Sequence, residues 1–346
     1  MLILRPIDEG DLLPLMEMLE SAGFGLTTLP KDPEVILKRI KNAQASFYSQ
    51  EIKKPGGEDY LFIMEDIFTG KIAGISAIIS KLGGFDPFYL YRVKTEARNS
   101  KDLNKTMELQ TLHLEAEHNG PSEVCSLFLS PEYRNSNNGR FLSLARFLFI
   151  KENRHLFEDE IIAEMRGQVD DQGQSPFWKA VGKKFFDITF SEADHLFIKS
   201  KQFIKELLPN YPIIINLLPD EARAVIGKVH EKTKPARHIL ETEGLSFQGQ
   251  VRIFEPGPIL SAQVDEVRSI KDAEIREISK IGNIQNTIPF IIARMGRTKF
   301  KAAMGYIDLL DDGSVKISEV LSGALKLRIG DEVCFVELRK KKNGGE

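Results

Sequence analysis

The stretch that decides the fold is SEVCSLFLSPEYRNSNNGRFL, residues 122–142. Val124 to Leu129 is an apolar run of strand length, and Pro131 to Gly139 is a polar loop. From Arg140 to Glu152 the apolar residues recur at the spacing of an amphipathic helix. The sequence therefore predicts a buried strand whose following loop opens directly onto the N-terminus of a helix.

Such a loop suits an anion such as a phosphate. Backbone N–H groups at a helix N-terminus lack partners within the helix, and the helix dipole adds positive potential there. Asn137 and Gly139 tolerate left-handed backbone angles, and Arg134 and Arg140 offer charge-assisted hydrogen bonds. An ordinary strand-to-helix turn with solvated Asn side chains explains the same residues, because the pattern is not that of a Walker loop. Both interpretations stay open on the residues alone.

The rest of the first 250 residues alternates strand and helix patterns, with an aromatic and irregular segment at 83–92. A mixed sheet with helices, of the α/β or α+β class, is therefore expected. The predicted strands are 2–7, 60–66, 71–80, 161–165 and 185–190, and the predicted helices are 8–20, 33–45, 140–152, 176–181 and 235–243.

The character of the chain changes after Leu245, where short strand candidates follow one another between turn signals. They are 251–254, 287–293, 302–307, 314–317 and 332–338. We therefore predict one α/β domain over residues 1–247, with 201–247 as an extension, and a C-terminal β-rich, barrel-like domain over 248–346.

Composition excludes several classes of protein. The chain has 346 residues, 42% of them hydrophobic, and a net charge of −3. These values are typical of a globular protein with a sizeable core, and they disfavour a nucleic-acid-binding or basic membrane-surface protein. Cys125 and Cys334 form no CxxC pair, and no His, Cys or acidic cluster has the spacing of metal ligands, so no metal is expected. With neither a signal peptide nor a transmembrane segment recognisable, we expect a cytoplasmic protein.

The loop resembles the acyl-CoA pyrophosphate loop of the GNAT acyltransferase superfamily. The usual pattern there is Arg/Gln-x-x-Gly-x-Gly/Ala; Arg134 and Gly139 fit it, and Asn137 replaces the first Gly. Further motifs are similar to those of the arginine N-succinyltransferase family, in register from about residue 3 to residue 338. They are residues 25–30, 86–89 with 91–93, 118–120 with 122–123, 163–167, 226–230, 235–237 and 254–258.

This resemblance implies a GNAT-like fold and an enzyme of arginine catabolism that transfers succinyl from succinyl-CoA to the α-amine of arginine, or of ornithine. Transfer would be direct, with no covalent enzyme intermediate, and with succinyl-CoA as co-substrate rather than a tightly bound cofactor. A homo-oligomer, or a heteromer with a paralogous subunit, is also implied.

The resemblance also selects residues. It places an acyl-CoA contact at Leu127 and a catalytic proton donor at His230, which titrates near neutral pH. A backbone N–H around Leu127 or Phe128 is the expected donor to the thioester oxyanion. The expected CoA-binding residues are Leu127, Phe128, Leu129, Arg134, Asn135, Ser136, Asn137, Asn138, Gly139 and Arg140. Candidates for binding the amine substrate are Asp86, Tyr91, Arg92, Glu123, Glu164 and Arg166.

Two other functions fit the sequence. The first alternative is an acyl-CoA N-acyltransferase that acts on a different amine. The second is a non-catalytic partner subunit of a paired succinyltransferase. Thiol release from succinyl-CoA, assayed with arginine, ornithine and acetyl-CoA controls, discriminates among these hypotheses.

Overall fold

The computed structural model describes residues 1–20, 31–84, 86–170 and 173–339. The motif at residues 25–30 lies outside the described residues. The strands are β1 Leu2–Pro6, β2 Asp59–Asp66, β3 Lys71–Ile79, β4 Phe88–Ser100, β5 Lys105–Glu117, β6 Ser122–Leu129, β7 Glu160–Glu164, β8 Ile213–Ile214, β9 Ser246–Val251, β10 Pro258–Gln263, β11 Glu274–Ile281, β12 Phe290–Arg294, β13 Lys301–Gly305, β14 Ile307–Leu309, β15 Val315–Ile317 and β16 Glu332–Glu337.

Helices of very different length accompany these strands. They are α1 Leu12–Glu20, α2 Pro33–Tyr48, α3 Asn138–Glu152, α4 Pro176–Ala180, α5 Gly182–Phe186, α6 Phe190–Lys199, α7 Gln202–Leu207, α8 Asp220–Ala224, α9 Lys234–Thr242, α10 Arg268–Lys271 and α11 Glu319–Leu325. In the part of the chain that the structure describes, no helix is long and apolar enough to cross a membrane. The predicted mixed α/β class is confirmed.

The chain forms two compact units, each discontinuous in sequence. Unit 1 comprises residues 1–80, 124–159 and 263–346, and unit 2 comprises residues 81–123 and 160–262. This division differs from the predicted boundary at residue 247, which falls inside unit 2. The physical reason is that residue 247 lies within β9, whose neighbours β4 and β10 both belong to unit 2.

Unit 1 contains one sheet that joins the two ends of the chain. Its strand order is β14-β15-β11-β16-β12-β13-β1-β2-β3, followed by the residues of β6 from Val124 onward. The C-terminal strands were expected to form a barrel-like domain of their own. Instead, β13 pairs antiparallel with β1, with Ile3 opposite Ala303, so their sheet continues onto the N-terminal strands.

Helix α3 forms the centre of unit 1. Phe141 to Ile150 are all buried, and Phe149 packs edge-on against Phe47, Phe62 and Phe300 at centroid distances of 5.2–5.6 Å. Arg146 is only 1% exposed, and its guanidinium donates 3.0 Å hydrogen bonds to the carbonyl oxygens of Ala77 and Cys125. These bonds tie α3 to the strands β3 and β6.

Unit 2 contains the strand order β7-β10-β9-β4-β5-β8, and the first residues of β6 pair parallel with β7, with Glu123 opposite Ile162. An aromatic core lies on its helical side: Trp178 stacks on Phe186 at 5.5 Å and meets Phe254 edge-on at 5.0 Å.

Three local predictions in unit 2 are wrong. Of the predicted strand 251–254, only Val251 lies in a strand, as the last residue of β9. Residues 83–92 were expected to be irregular, but Phe88 begins β4, which pairs with all of β5 in a hairpin of two thirteen-residue strands. The predicted strand 185–190 is the end of α5 and the start of α6. Thr189 and Glu192 form a reciprocal capping box that begins α6, and this local signal outweighs the apolar run.

Candidate functional site

In unit 1, the backbone of β6 is irregular just before its last residues. Ser126 adopts a left-handed backbone with φ 50°, which is uncommon for a residue other than Gly. Arg39 holds this position, since it donates a 3.0 Å hydrogen bond to Ser126 Oγ and pairs with Asp59 at 2.6 Å. The predicted oxyanion donors around Leu127 therefore follow directly after a fixed irregularity of the strand.

The loop after β6 is braced by its own polar groups. Arg134 Nε donates a 2.9 Å hydrogen bond to the Leu129 carbonyl, and its guanidinium lies over the Phe128 ring at 5.7 Å. Asn138 Nδ2 donates to the Tyr133 carbonyl at 3.0 Å, and the Asn138 N–H donates to the Asn135 carbonyl at 2.9 Å. The conformation of the loop is thus fixed by hydrogen bonds between its own residues.

The turn ends in two consecutive left-handed residues, Ser136 with φ 49° and Asn137 with φ 66°. The Asn137 side chain makes no capping hydrogen bond to α3; its Oδ1 instead accepts one from Arg339 at 2.7 Å. N–H groups in the first turn of a helix have no intrahelical acceptor, so the first turn around Gly139 and Arg140 offers the donors and dipole that an anion needs. Residues 134–137 are exposed, as a binding loop requires.

In unit 2, His230 is held by its backbone and by its ring. Its N–H donates to the Arg166 carbonyl at 2.9 Å, next to an antiparallel bridge between Gly167 and Val229. Its Nδ1 accepts a 3.2 Å hydrogen bond from the N–H of Lys232. Because an imidazole nitrogen that accepts carries no proton, the neutral ring is assigned the tautomer with its hydrogen on Nε2.

Three chain segments cross beside His230 at unusually short backbone distances. A Cβ added to Gly257 would lie 2.1 Å from the Met165 carbonyl oxygen, and one added to Gly167 would lie 2.7 Å from the Gly257 nitrogen. Glycine is required at both positions for this close approach. The third segment contains Gly227 and His230. It is joined to the second by a 2.8 Å hydrogen bond from the Gly227 N–H to the Pro256 carbonyl.

A charged cluster lies at the same crossing, and Arg252 is its centre. Arg252 pairs with Glu164 at 3.3 Å and with Glu255 Oε1. Burial lowers the pKa of Arg252, but the carboxylates of Glu255, Glu164, Asp194 and Glu123 more than offset this and hold it above its usual value. Glu255 is 3% exposed, and burial raises its pKa against the opposing effect of Arg252.

Arg166 and Asp194 lie within electrostatic range of this pair but are not themselves bonded to it. Within the described residues neither side chain makes a hydrogen bond or ion pair. Burial lowers the pKa of Arg166 and raises that of Asp194. Burial also lowers the pKa of His230, and the positive charges of Arg166 and Lys232 lower it further, so its ring is mostly neutral at pH 7.

The predicted substrate-binding residues fall in two groups. Glu123, Glu164 and Arg166 belong to the cluster around Arg252. The others do not: Asp86 is exposed, and Tyr91 is buried in the aromatic core, 6.1 Å from Phe177 between ring centroids.

Arg92 lies elsewhere in unit 2. Its Nε pairs with Glu115 at 2.7 Å, and its side chain lines a cavity of about 190 Å³ together with Glu117, Glu160 and Gln250.

Sequence reasoning missed Asp194, Arg252 and Glu255. Asp194 lies in α6, whose first residue, Phe190, was expected to end a strand. Arg252 directly follows β9 and belongs to no motif in the local sequence. Glu255 had a signal, because it lies within residues 254–258, one of the motifs in register. Only the folded chain shows that this Glu pairs with an Arg three residues earlier and lies within electrostatic range of Asp194.

Comparisons with known proteins agree with one another. The family model of the arginine N-succinyltransferase beta subunit matches residues 2–269. An arginine N-succinyltransferase of Photorhabdus laumondii is 40% identical over 99% of this chain and 100% of its own length, and one of Yersinia enterocolitica is 46% identical over 98% of both chains. The structure of arginine/ornithine succinyltransferase subunit AI of Pseudomonas aeruginosa covers 98% of this chain and 99% of its own, with a TM-score of 0.87 and 30% identity.

Proposed function

We propose, since this chain belongs to the arginine N-succinyltransferase family, that its donor is succinyl-CoA and that the loop after β6 binds it. The chain is an acyltransferase that transfers a succinyl group to arginine. The exposed loop with consecutive left-handed residues and an uncapped helix N-terminus supports the donor site. In this proposal the first-turn N–H groups of α3 bind the pyrophosphate, and Arg134 and Arg140 add positive charge.

The acyl group reacts by direct transfer in this proposal. The main chain around Leu127 and Phe128 donates to the thioester oxygen, which becomes an oxyanion when the amine attacks. The left-handed backbone of Ser126 supports this role, because it interrupts the regular strand immediately before these N–H groups. The remaining loop residues, Leu129, Asn135, Ser136, Asn137, Asn138 and Gly139, shape the site through their backbone.

His230 is the proton donor to the departing CoA sulfur. The observation that carries this role is the hydrogen bond from Lys232 N–H to Nδ1, which leaves Nε2–H as the donor of the neutral ring. Because thiols ionise near pH 8.5, a hydrogen bond from Nε2 stabilises the developing thiolate substantially at neutral pH. The same tautomer disfavours His230 as the base that takes the proton of the amine, because Nε2 is already protonated.

The amine substrate binds beside His230 through groups of both signs. Arg166 is the candidate for its carboxylate, because this half-buried guanidinium has no ion pair among the described residues. Glu164 and Glu123 contribute through Arg252, on which both act. Roles for Asp86, Tyr91 and Arg92 remain predictions.

The test is thiol release from succinyl-CoA by the purified chain, with arginine and with ornithine as acceptors and acetyl-CoA as the alternative donor. His230→Gln is expected to lower kcat by about 10²- to 10⁴-fold while CoA binding, measured by calorimetry, stays unchanged. His238→Gln, on an exposed face of α9, is the matched control. Unchanged turnover in His230→Gln would refute the assignment of His230 as the proton donor.

Two further proposals concern the protein in the cell. We propose a cytoplasmic location and an oligomer, either of this chain alone or with a paralogous subunit. Fractionation with a periplasmic marker tests the first. Light scattering of the chain, purified alone and after co-expression with a paralogue, tests the second.

A further inference from the structure

Three polar groups at the crossing in unit 2 lack a direct partner among the described residues. They are the guanidinium of Arg166, the carboxylate of Asp194 and Oε2 of Glu255. The last is the most unusual, because Glu255 is 3% exposed and its Oε2 has no hydrogen-bond partner. A buried carboxylate oxygen without a donor costs free energy, so its retention indicates a missing donor.

The charges at the crossing indicate the sign of that donor. Arg252 pairs with Oε1 of Glu255 and with Glu164. Its single positive charge is therefore already shared between two carboxylates. Asp194 and Glu123 also act on Arg252, so carboxylates outnumber guanidinium groups in this cluster. An additional cation is therefore favoured here, whereas an additional anion is favoured only beside Arg166.

We propose that Asp194 and Glu255 hold the guanidinium of the amine substrate, and that Arg252 is the positioning residue that keeps Glu255 in place. The guanidinium is planar and charged at every relevant pH, and it can donate to two carboxylates at once. Asp194 is only partly buried and is therefore the carboxylate that a ligand reaches first. The inference rests on the proposed binding of the amine substrate beside His230.

The arrangement explains how one cluster selects an amino acid with charges of both signs. Arg166 is available for the carboxylate of the substrate, and Asp194 with Glu255 is available for its side chain. Because the backbone carbonyl of Glu255 lies close enough to Gly167 to leave no room for a Cβ there, the cation subsite and the His230 segment share one backbone support. The charged side chain of the acceptor is thereby bound close to His230, the proposed proton donor to the leaving sulfur.

The test compares arginine with citrulline, which has nearly the same shape but an uncharged side-chain end. We expect Asp194→Asn and Glu255→Gln each to lower the ratio of kcat/KM for arginine to that for citrulline by about 10- to 100-fold. KM for succinyl-CoA is expected to stay unchanged. Where citrulline turnover is too slow, its competitive inhibition constant against arginine replaces kcat/KM.

Glu206→Gln, an exposed carboxylate change in the same unit, is the control and is expected to keep the wild-type ratio. If Glu255→Gln unfolds, as judged by its thermal melting, Asp194→Asn carries the test. Equal losses with arginine and citrulline, or no loss with either, would overturn the proposal. His230→Gln separates the two proposals, because it is expected to lower turnover without changing the ratio.

Discussion

Gly257→Ala tests the backbone crossing that supports His230. The added Cβ would lie 2.1 Å from the Met165 carbonyl oxygen and 2.5 Å from the Gly167 nitrogen, where 3.4 Å is an ordinary contact. Neither neighbour is a flexible side chain, so the two backbone segments must separate by roughly 1 Å. The substitution therefore acts on the geometry of the site and not only on one side chain.

The expected magnitude follows from the hydrogen bonds at the crossing. Met165 N–H donates to Pro258 and Arg252 N–H donates to Gly257, both at 3.0 Å, and a separation of roughly 1 Å breaks both. With about 1 kcal/mol for each bond and about 1–3 kcal/mol for overpacking, we expect a loss of about 3–5 kcal/mol in the free energy of unfolding. Turnover is expected to fall as well, because the His230 segment shares this support.

The assay is urea unfolding followed by fluorescence. Trp178 is the single tryptophan of the chain and is 2% exposed in the core of unit 2, so its emission reports the unit that carries the change. Gly282→Ala is the matched control, since a Cβ there meets nothing within 4 Å. If Gly257→Ala unfolds at the same urea concentration as Gly282→Ala, the packing argument is refuted.

Three further predictions address other parts of the molecule. Arg146→Met is expected to lower the free energy of unfolding by about 2–4 kcal/mol, measured by circular dichroism in denaturant, because the Ala77 and Cys125 carbonyls lose their donor. Lys232→Gln removes a positive charge that lowers the pKa of His230; the pKa should rise, and the acid limb of kcat/KM should move to higher pH at low salt. Asn137→Val is expected to raise KM for succinyl-CoA, and Asn137→Gly to leave it unchanged, because φ is 66° there.

The strand, loop and helix of residues 122–152 were predictable because each has a strong local signal. The apolar run of β6, the polar turn and the helical spacing of α3 do not depend on distant parts of the chain. The left-handed backbone of Ser126 was not predictable, because Arg39 and Asp59 hold this residue from far away in sequence. Local patterns thus gave the position of the loop after β6 but not the geometry of the strand leading to it.

Unit 2 shows why the remainder was harder. The hairpin of β4 and β5 is exposed over its distal half, so its strands lack the alternation of apolar residues that identifies a half-buried strand. The misassigned start of α6 hid Asp194, although Thr189 and Glu192 carried a capping-box signal. The pairing of Arg252 with Glu164 joins residues 88 positions apart, and no spacing rule reaches that far.

The pairing of β1 with β13 has a consequence for how the chain folds during synthesis. Ile3 and Ala303 are 300 positions apart, so the first strand leaves the ribosome long before its partner exists. At about 5–20 residues per second the delay is roughly 15–60 s, during which one edge of β1 has no β13 to pair with. Long-range pairings of this kind slow folding and leave strand edges open to aggregation. Yield of active protein should therefore depend on translation speed, temperature and chaperone supply.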